Sequence, residues 1–150
     1  MDHKDCIFCQ IINGDIPSAK VYEDEHVYAF LDISQVTKGH TLVIPKTHTR
    51  NIYDTPGDVA KELFERIPQL ARAIKMTYQP DGMNILNNNE KAASQTVFHL
   101  HFHLIPRYLE SDNSFNFTWE NNTDHYTLED LQNIANDIHL NIDNDNLHSS

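Results

Sequence analysis

Residues 97–106, VFHLHFHLIP, constrain what this chain can fold into more than any other stretch, because polar and apolar side chains alternate along them. Successive side chains of a β-strand point to opposite faces, so a strand here collects three histidines on one face: His99, His101 and His103. The apolar residues between them form the other face, which suits burial against a core. The pattern therefore predicts a half-buried strand.

The histidine face of this strand indicates a functional site. Neighbouring side chains on one strand face lie roughly 6–7 Å apart, so two of the imidazoles can contact one phosphate-sized ligand. A half-buried strand whose polar face is merely rich in histidine is the alternative. Three imidazoles on one face need a ligand, a metal or water as partners, so we favour a functional site over a merely histidine-rich strand.

Length and charge bound the class of protein. The 150 residues are enough to bury a core, and we expect one domain over residues 1–140 with a polar tail over residues 141–150. The formal net charge of −11 and the lack of a Lys/Arg-rich tract argue against nucleic-acid binding. The stretch MDHKDCIFCQ has no apolar signal-peptide core, and no run of ~18 apolar residues occurs. We therefore expect a soluble, cytoplasmic protein without a membrane segment.

Hydrophobic patterns predict five strands and three helices. The strands are expected over residues 20–24, 26–32, 40–45, 82–88 and the histidine-bearing stretch, and the helices over residues 6–13, over residues 56–78 and after a capping box of Thr127 and Asp130. Pro68 falls inside the second helical pattern and should kink or split it. Short turns between consecutive strands imply antiparallel pairing, so the predicted fold class is α+β.

Two cysteines, Cys6 and Cys9, are spaced as C-x-x-C. A reducing cytoplasm argues against a structural disulfide between them. Half of a zinc site is the interpretation we favour, with two more ligands supplied by the ten histidines. A redox dithiol and a pair of inert buried thiols remain alternatives.

Several catalytic motifs are missing from the sequence, which narrows the chemistry. It contains neither a glycine-rich phosphate loop nor the G-x-S-x-G turn of serine hydrolases. An imidazole is then the natural nucleophile, and it can attack phosphorus to form a covalent intermediate. Such a ring must be neutral, with Nδ1 protonated and held by an acceptor, while a second histidine donates to the leaving group.

The stretch HLHFHLI fits the signature H-x-H-x-H-x-x, with x apolar, and resembles the histidine triad (HIT) family of nucleotide-binding hydrolases. CIFCQIINGDIPSAKVYEDEHVYAFLDISQVTKGHTLVIPKTH and NILNNNEKAASQTVFH also resemble that family, so the similarity covers roughly residues 5 to 108. The N-terminal C-x-x-C is similar to the bacterial branch near the adenosine phosphoramidases. The resemblance implies a five-stranded antiparallel half-barrel with one long and one or two shorter helices, and a homodimer with a ten-stranded sheet.

The resemblance implies a catalytic role for each histidine of the triad. His101 would attack the α-phosphorus, the backbone carbonyl of His99 would set the His101 tautomer, and His103 would hydrogen-bond the phosphate or the leaving group. Asn88 would help to orient the phosphate. The remaining implied substrate contacts, to phosphate, ribose and base, are Gln95, Thr96, Val97, Asp32, Phe8, Ile16, Phe30 and Ile33.

For the metal, the resemblance points to a structural Zn²⁺ held by Cys6, Cys9, His48 and His99, with His40 as the alternative fourth ligand. The implied activity is hydrolysis of purine nucleoside phosphoramidates or dinucleoside polyphosphates, releasing a nucleoside monophosphate. A nucleotidyl transferase or phosphorylase, and a non-catalytic nucleotide-binding regulator, are the rival functions.

The chain departs from the family pattern at three positions. Leu31 stands where many members have a histidine before the ribose aspartate. Glu90 and Ser94 stand where the approach to the triad usually has glycines, and positive φ angles or close backbone approach there would favour glycine.

Overall fold

The computed structural model describes residues 4–111 and 118–145. The chain divides into two compact units, Met1–Phe115 and Asn116–Ser150. No helix within the described ranges is both long enough and apolar enough to cross a membrane.

The first unit is built on one five-stranded sheet. Its strands are β1 (Lys20–Glu23), β2 (Val27–Leu31), β3 (Thr41–Pro45), β4 (Gly82–Leu86) and β5 (Phe102–Arg107). Their order across the sheet is β1-β2-β3-β5-β4, and each neighbouring pair is antiparallel. The sheet is antiparallel, and the helices do not alternate strictly with the strands. The fold therefore confirms the predicted α+β class.

Helix α2 (Gly57–Tyr78) covers one face of the sheet. Its buried side chains pack in one cluster with alternate residues of β2, β3 and the histidine stretch. The cluster contains Leu63, Ile67, Leu70 and Ile74 of the helix with Val27, Ala29, Val43, Leu100, Phe102 and Leu104. The apolar row of the histidine stretch therefore enters the core, as predicted. The helix runs unbroken through Pro68. Pro68 lies on the exposed side, where the carbonyl one turn earlier can accept from water, so the expected split does not occur.

The opposite face of the sheet carries helix α1 (Ile7–Ile12) and a second apolar cluster. Its buried members are Phe8, Ile11, Tyr28, Phe30, Leu42 and Ile44. Cys6 is the N-cap of α1, and its sulfur accepts from the Cys9 amide at 3.4 Å. Both cysteines thus lie at the start of α1, on the side of the sheet to which the histidines point.

Strand β5 begins later than the sequence pattern predicts, at Phe102, so His99 and His101 precede it. β3 pairs with residues 102–104 only. Before that point the Leu100 amide donates to the Thr49 carbonyl at 2.8 Å, and the His101 carbonyl accepts from the Asn87 side chain at 3.0 Å. Thr49 and Asn87 thus take the backbone groups of Leu100 and His101 that a neighbouring strand would otherwise bind, and the strand starts only after them.

The second unit contains helix α3 (Leu128–Asp145). The predicted capping box is present: Asp130 accepts from the Thr127 amide at 2.9 Å, and Thr127 Oγ1 accepts from the Asp130 amide at 3.1 Å. The helix extends past residue 140, into the predicted polar tail. The single domain over residues 1–140 stays a prediction.

Candidate active site and metal centre

His101 is oriented by a backbone contact. Its Nδ1 lies 2.7 Å from the His99 carbonyl oxygen, and the ring is buried. A carbonyl can only accept, so Nδ1 carries the proton. Burial lowers the pKa of His101, while the His99 carbonyl and the Asp32 charge oppose that shift. The ring is therefore neutral near pH 7, and its Nε2 has a free lone pair.

His103 has complementary chemistry. The Val36 amide donates to His40 Nδ1 at 3.3 Å, so the proton of neutral His40 lies on Nε2. That Nε2–H donates to His103 Nδ1 at 2.9 Å, which leaves His103 with its own proton on Nε2. The rings of His101 and His103 are 5.1 Å apart. One ring thus offers a lone pair and its neighbour offers an N–H.

The pKa of His103 is lowered to about 4, first by burial and then by the neighbouring His101 and His40 rings. Asp32 opposes the shift: its Oδ2 lies 3.9 Å from His103 Nδ1 and 3.5 Å from His40 Nε2. Burial likewise lowers the pKa of His40. Asp32 Oδ1 accepts from the Ser34 amide at 2.8 Å, so this carboxylate is held at the edge of the histidine pair.

The segment before the triad is held by side-chain amides. Gln95 is buried, with Oε1 accepting from the Glu90 amide at 2.8 Å and Nε2 donating to the Arg50 and Val97 carbonyls at 2.8 and 3.1 Å. Its amide is therefore engaged by protein groups, and a direct phosphate contact stays a prediction. Asn88 makes one long contact, to the Ser94 carbonyl at 3.5 Å, so its amide is the better placed of the two for a ligand.

Glu90 and Ser94 both have positive φ angles, 72° and 70°. The backbone thus adopts glycine-type conformations at the two positions where the resemblance leads us to expect glycine. The Glu90 carboxylate forms an ion pair with Arg50. Hydrogen bonds from the Arg50 guanidinium and from the Asn51 side-chain amide lower the pKa of Glu90 to about 2.

The residues predicted to contact the base and sugar are partly brought together. Phe8 and Phe30 form an edge-to-face pair at 5.4 Å, and Phe8 also meets the His101 ring edge-to-face at 5.2 Å. Ile16 and Val97 pack against the same cluster. Ile33 and Thr96 are exposed. Leu31 ends β2, immediately before Asp32.

Four side chains converge beside α1: Cys6, Cys9, His48 and His99, whose ligand atoms all lie within 4.8 Å of one another. The Cys6 and Cys9 sulfurs are 3.4 and 3.6 Å from His99 Nδ1, and Cys9 is 3.4 Å from His48 Nδ1. A tetrahedral zinc with ~2.3 Å Zn–S and ~2.0 Å Zn–N bonds separates such atoms by about 3.5 Å, so the donor set fits.

The outer contacts of this cluster also suit a metal. His99 Nε2 donates to the Pro45 carbonyl at 2.8 Å, which leaves Nδ1 as the ligand atom. Burial and the Cys6 thiol raise the pKa of Cys9 to about 12, and a bound cation would deprotonate it. His40, the alternative fourth ligand, lies instead with Asp32 and His103, a second group close enough to hold a metal.

His99 serves both sites. Its ring belongs to the cysteine cluster, while its carbonyl orients His101. Sequence reasoning missed the side chains that support this arrangement, above all Asn87 and Asn51. The run of three asparagines at 87–89 was the available signal for the first, whereas the second lies far away in sequence.

Comparison with known proteins gives a consistent result. The HIT domain model matches residues 13–110. A solved HIT family member from Bacillus subtilis is 59% identical, with a TM-score of 0.88, covering 91% of this chain and 96% of that one. The adenosine 5'-monophosphoramidase HNT1 of Candida albicans is 40% identical over 109 residues, 70% of this chain and 72% of that protein.

A solved Zn-bound histidine triad family protein from Mycobacterium smegmatis is 42% identical, with a TM-score of 0.71, covering 79% of this chain and 86% of that one. The family model alone spans more than half of the chain. The histidine motif, the five-stranded antiparallel sheet and these similarities therefore identify the chain as a member of the HIT family.

Proposed function

We propose that the protein is a hydrolase that cleaves the α-phosphate bond of purine nucleoside phosphoramidates, with dinucleoside polyphosphates as a second substrate class. The observation that carries the proposal is the neutral, buried His101, whose Nδ1–H is fixed on the His99 carbonyl. The Candida albicans relative, named as an adenosine 5'-monophosphoramidase, supports the first substrate class.

The reaction would proceed in two steps. His101 Nε2 attacks the α-phosphorus, and a new N–P bond forms as the bond to the leaving group breaks. The His103 Nε2–H hydrogen-bonds the phosphate or the departing atom, and the leaving amine takes up a proton from solvent, which the water of the second step returns. Water then cleaves the N–P bond of the nucleotidyl-His101 intermediate, releasing the nucleoside monophosphate and free His101.

The substrate would lie against the second apolar cluster, which contains Phe8 and Phe30, and against Asp32. The carboxylate of Asp32 can accept from both ribose hydroxyls, and Asn88 would donate to the phosphate. Phe8 and Phe30, with Ile16 and Ile33, would contact the base. Gln95, Thr96 and Val97 would shape the phosphate region, Gln95 through the loop that it holds.

We propose that zinc occupies the cluster of Cys6, Cys9, His48 and His99 in a structural role. Four protein ligands would leave no open coordination position for substrate, which is typical of structural zinc sites. The zinc-bound relative from Mycobacterium smegmatis supports this assignment. Because the His99 ring would bind the metal, zinc would restrict the movement of the His99 backbone carbonyl that orients His101.

We also propose a homodimer that joins two sheets into ten strands. β4 is one edge of the sheet, and among the described residues no further strand pairs with its outer side. Exposed backbone groups on such an edge favour pairing with a second strand. A molecular mass in solution of one chain would exclude this assembly.

The test of the activity is AMP release from adenosine phosphoramidate by the zinc-loaded protein, followed by chromatography. His101→Ala should lower the rate by orders of magnitude and leave AMP binding intact, while the control His26→Ala changes an exposed histidine elsewhere. Equal, negligible release by wild type and His101→Ala, with AMP still bound, would instead favour the nucleotide-binding regulator. Transfer of AMP to phosphate in preference to water would favour a phosphorylase.

A further inference from the structure

The segment that leads to the triad, here called the approach loop (residues 87–95), contains an unusual backbone conformation. Glu90 has φ 72° and ψ 162°, a region that is essentially restricted to glycine. Ser94 is left-handed, with φ 70° and ψ 23°. Side-chain-bearing residues persist in such conformations only when surrounding contacts hold them. The contacts around Glu90 should therefore be strong and specific.

Glu90 is held on three sides. Arg50 Nε and Nη2 donate to its two carboxylate oxygens at 2.8 and 2.7 Å, a bidentate pair. Asn51 Nδ2 donates to the carboxylate at 2.5 Å, and Asn51 is almost fully buried. The Glu90 amide donates to Gln95 Oε1 at 2.8 Å. The Arg50 guanidinium also lies over the Phe98 ring, 4.2 Å from its centre.

A second set of hydrogen bonds starts at Ile52, the residue after Asn51, and reaches His101. The Ile52 amide donates to Asn89 Oδ1 at 2.8 Å, and Asn89 Nδ2 donates to Asn87 Oδ1 at 2.6 Å. Asn87 Nδ2 then donates to the His101 carbonyl at 3.0 Å. A continuous set of hydrogen bonds thus joins the segment after β3 to the approach loop and to His101.

We propose that Arg50 and Asn51 are positioning residues, which hold Glu90 in a glycine-type conformation and so keep the approach loop aligned with the triad. A glycine would adopt this positive φ without a steric cost, whereas Glu90 needs the ion pair with Arg50 to hold it there. The effect on turnover rests on the proposed function, whereas the effect on the loop does not.

The test compares Arg50→Ala in two backgrounds, wild type and Glu90→Gly. In the wild-type background, loss of the guanidinium leaves Glu90 in a strained conformation without its partner, so KM for adenosine phosphoramidate should rise ~5-fold or more. In the Glu90→Gly background the same change should have almost no effect, because glycine needs no partner. Arg50→Lys keeps the positive charge but cannot form the bidentate pair, so its KM should lie between those of wild type and Arg50→Ala.

Salt gives a second kinetic readout. Arg50 and Glu90 are about half exposed, 51% and 44%, so added NaCl should screen their attraction. KM should rise more steeply with NaCl in wild type than in Glu90→Gly. Equal effects of Arg50→Ala in both backgrounds, or no effect in either, would overturn the proposal.

Amide hydrogen exchange over residues 87–95 separates this inference from the proposed function. Exchange should accelerate in Arg50→Ala and return toward the slow rate in the Arg50→Ala/Glu90→Gly double variant, whether or not the protein turns over substrate. An inactive wild type with this exchange pattern would refute the hydrolase and leave the positioning role intact. Unchanged exchange in Arg50→Ala would refute the positioning role even in an active enzyme.

Discussion

Protonation of His103 should make the fold acid-sensitive by a calculable amount. In the unfolded chain this histidine binds a proton near its ordinary pKa of 6.5, whereas the folded protein lowers that pKa to about 4. Between these pH values the unfolded state holds more protons, so stability falls as pH falls. Through His103 alone, the free energy of unfolding should be lower at pH 4 than at pH 7 by about 3 kcal/mol.

The side chain of His103 is 16% exposed, so solvent screening removes little of this effect. Its surroundings are the rings of His101 and His40 and the Asp32 carboxylate, and only Asp32 favours the charged form. For a chain of about 150 residues, ~3 kcal/mol corresponds to roughly 6–12 °C in Tm.

The assay is urea unfolding of wild type and His103→Asn at pH 7 and pH 4. Asparagine places an amide where Nδ1 lies, so it retains a polar contact with His40 but cannot titrate. Both proteins retain the other acid-sensitive groups, including the cysteine cluster, so the difference between them isolates His103. Wild type should lose about 3 kcal/mol more than His103→Asn between the two pH values. Equal losses would refute the assigned burial and charge environment.

Three further outcomes are expected. Leu63→Ala leaves a cavity at a fully buried position of α2 and should lower the free energy of unfolding in urea by ~2–5 kcal/mol; a loss below ~1 kcal/mol would contradict the core assignment. Cys9→Ser should abolish stoichiometric zinc, measured by elemental analysis, and lower Tm; retention of one tightly bound zinc would exclude the cluster. Gly39→Ala adds a methyl group 3.0 Å from the Tyr78 ring at φ +100° and should cost ~1–3 kcal/mol, whereas an unchanged Tm would contradict this backbone conformation.

The alternation of VFHLHFHLIP predicted the buried row and the histidine face correctly, because side-chain direction in an extended chain depends only on local geometry. The start of β5 was not predictable in the same way. It depends on where β3 stops pairing and where Thr49 and Asn87 take over the backbone groups, and both partners are distant in sequence.

The Arg50–Glu90 pair shows the same limit more sharply. The two residues are 40 positions apart, and nothing in the local sequence indicates their contact. The departure from glycine at Glu90 marked the position as unusual, but only the three-dimensional surroundings explain how the conformation is tolerated. At Pro68 the sequence instead predicts too much. A proline inside a helical pattern predicts a kink or a break, but α2 continues through this exposed position.

The most direct measurement is a search for the covalent intermediate. Zinc-loaded protein is mixed with adenosine phosphoramidate, quenched within the first turnovers and analysed by intact mass spectrometry and peptide mapping. We predict one adenylyl group per chain, attached to His101, that disappears as AMP is released and never forms in His101→Ala. AMP release without any adduct, an adduct on another residue, or undiminished turnover by His101→Ala would contradict His101 as the nucleophile.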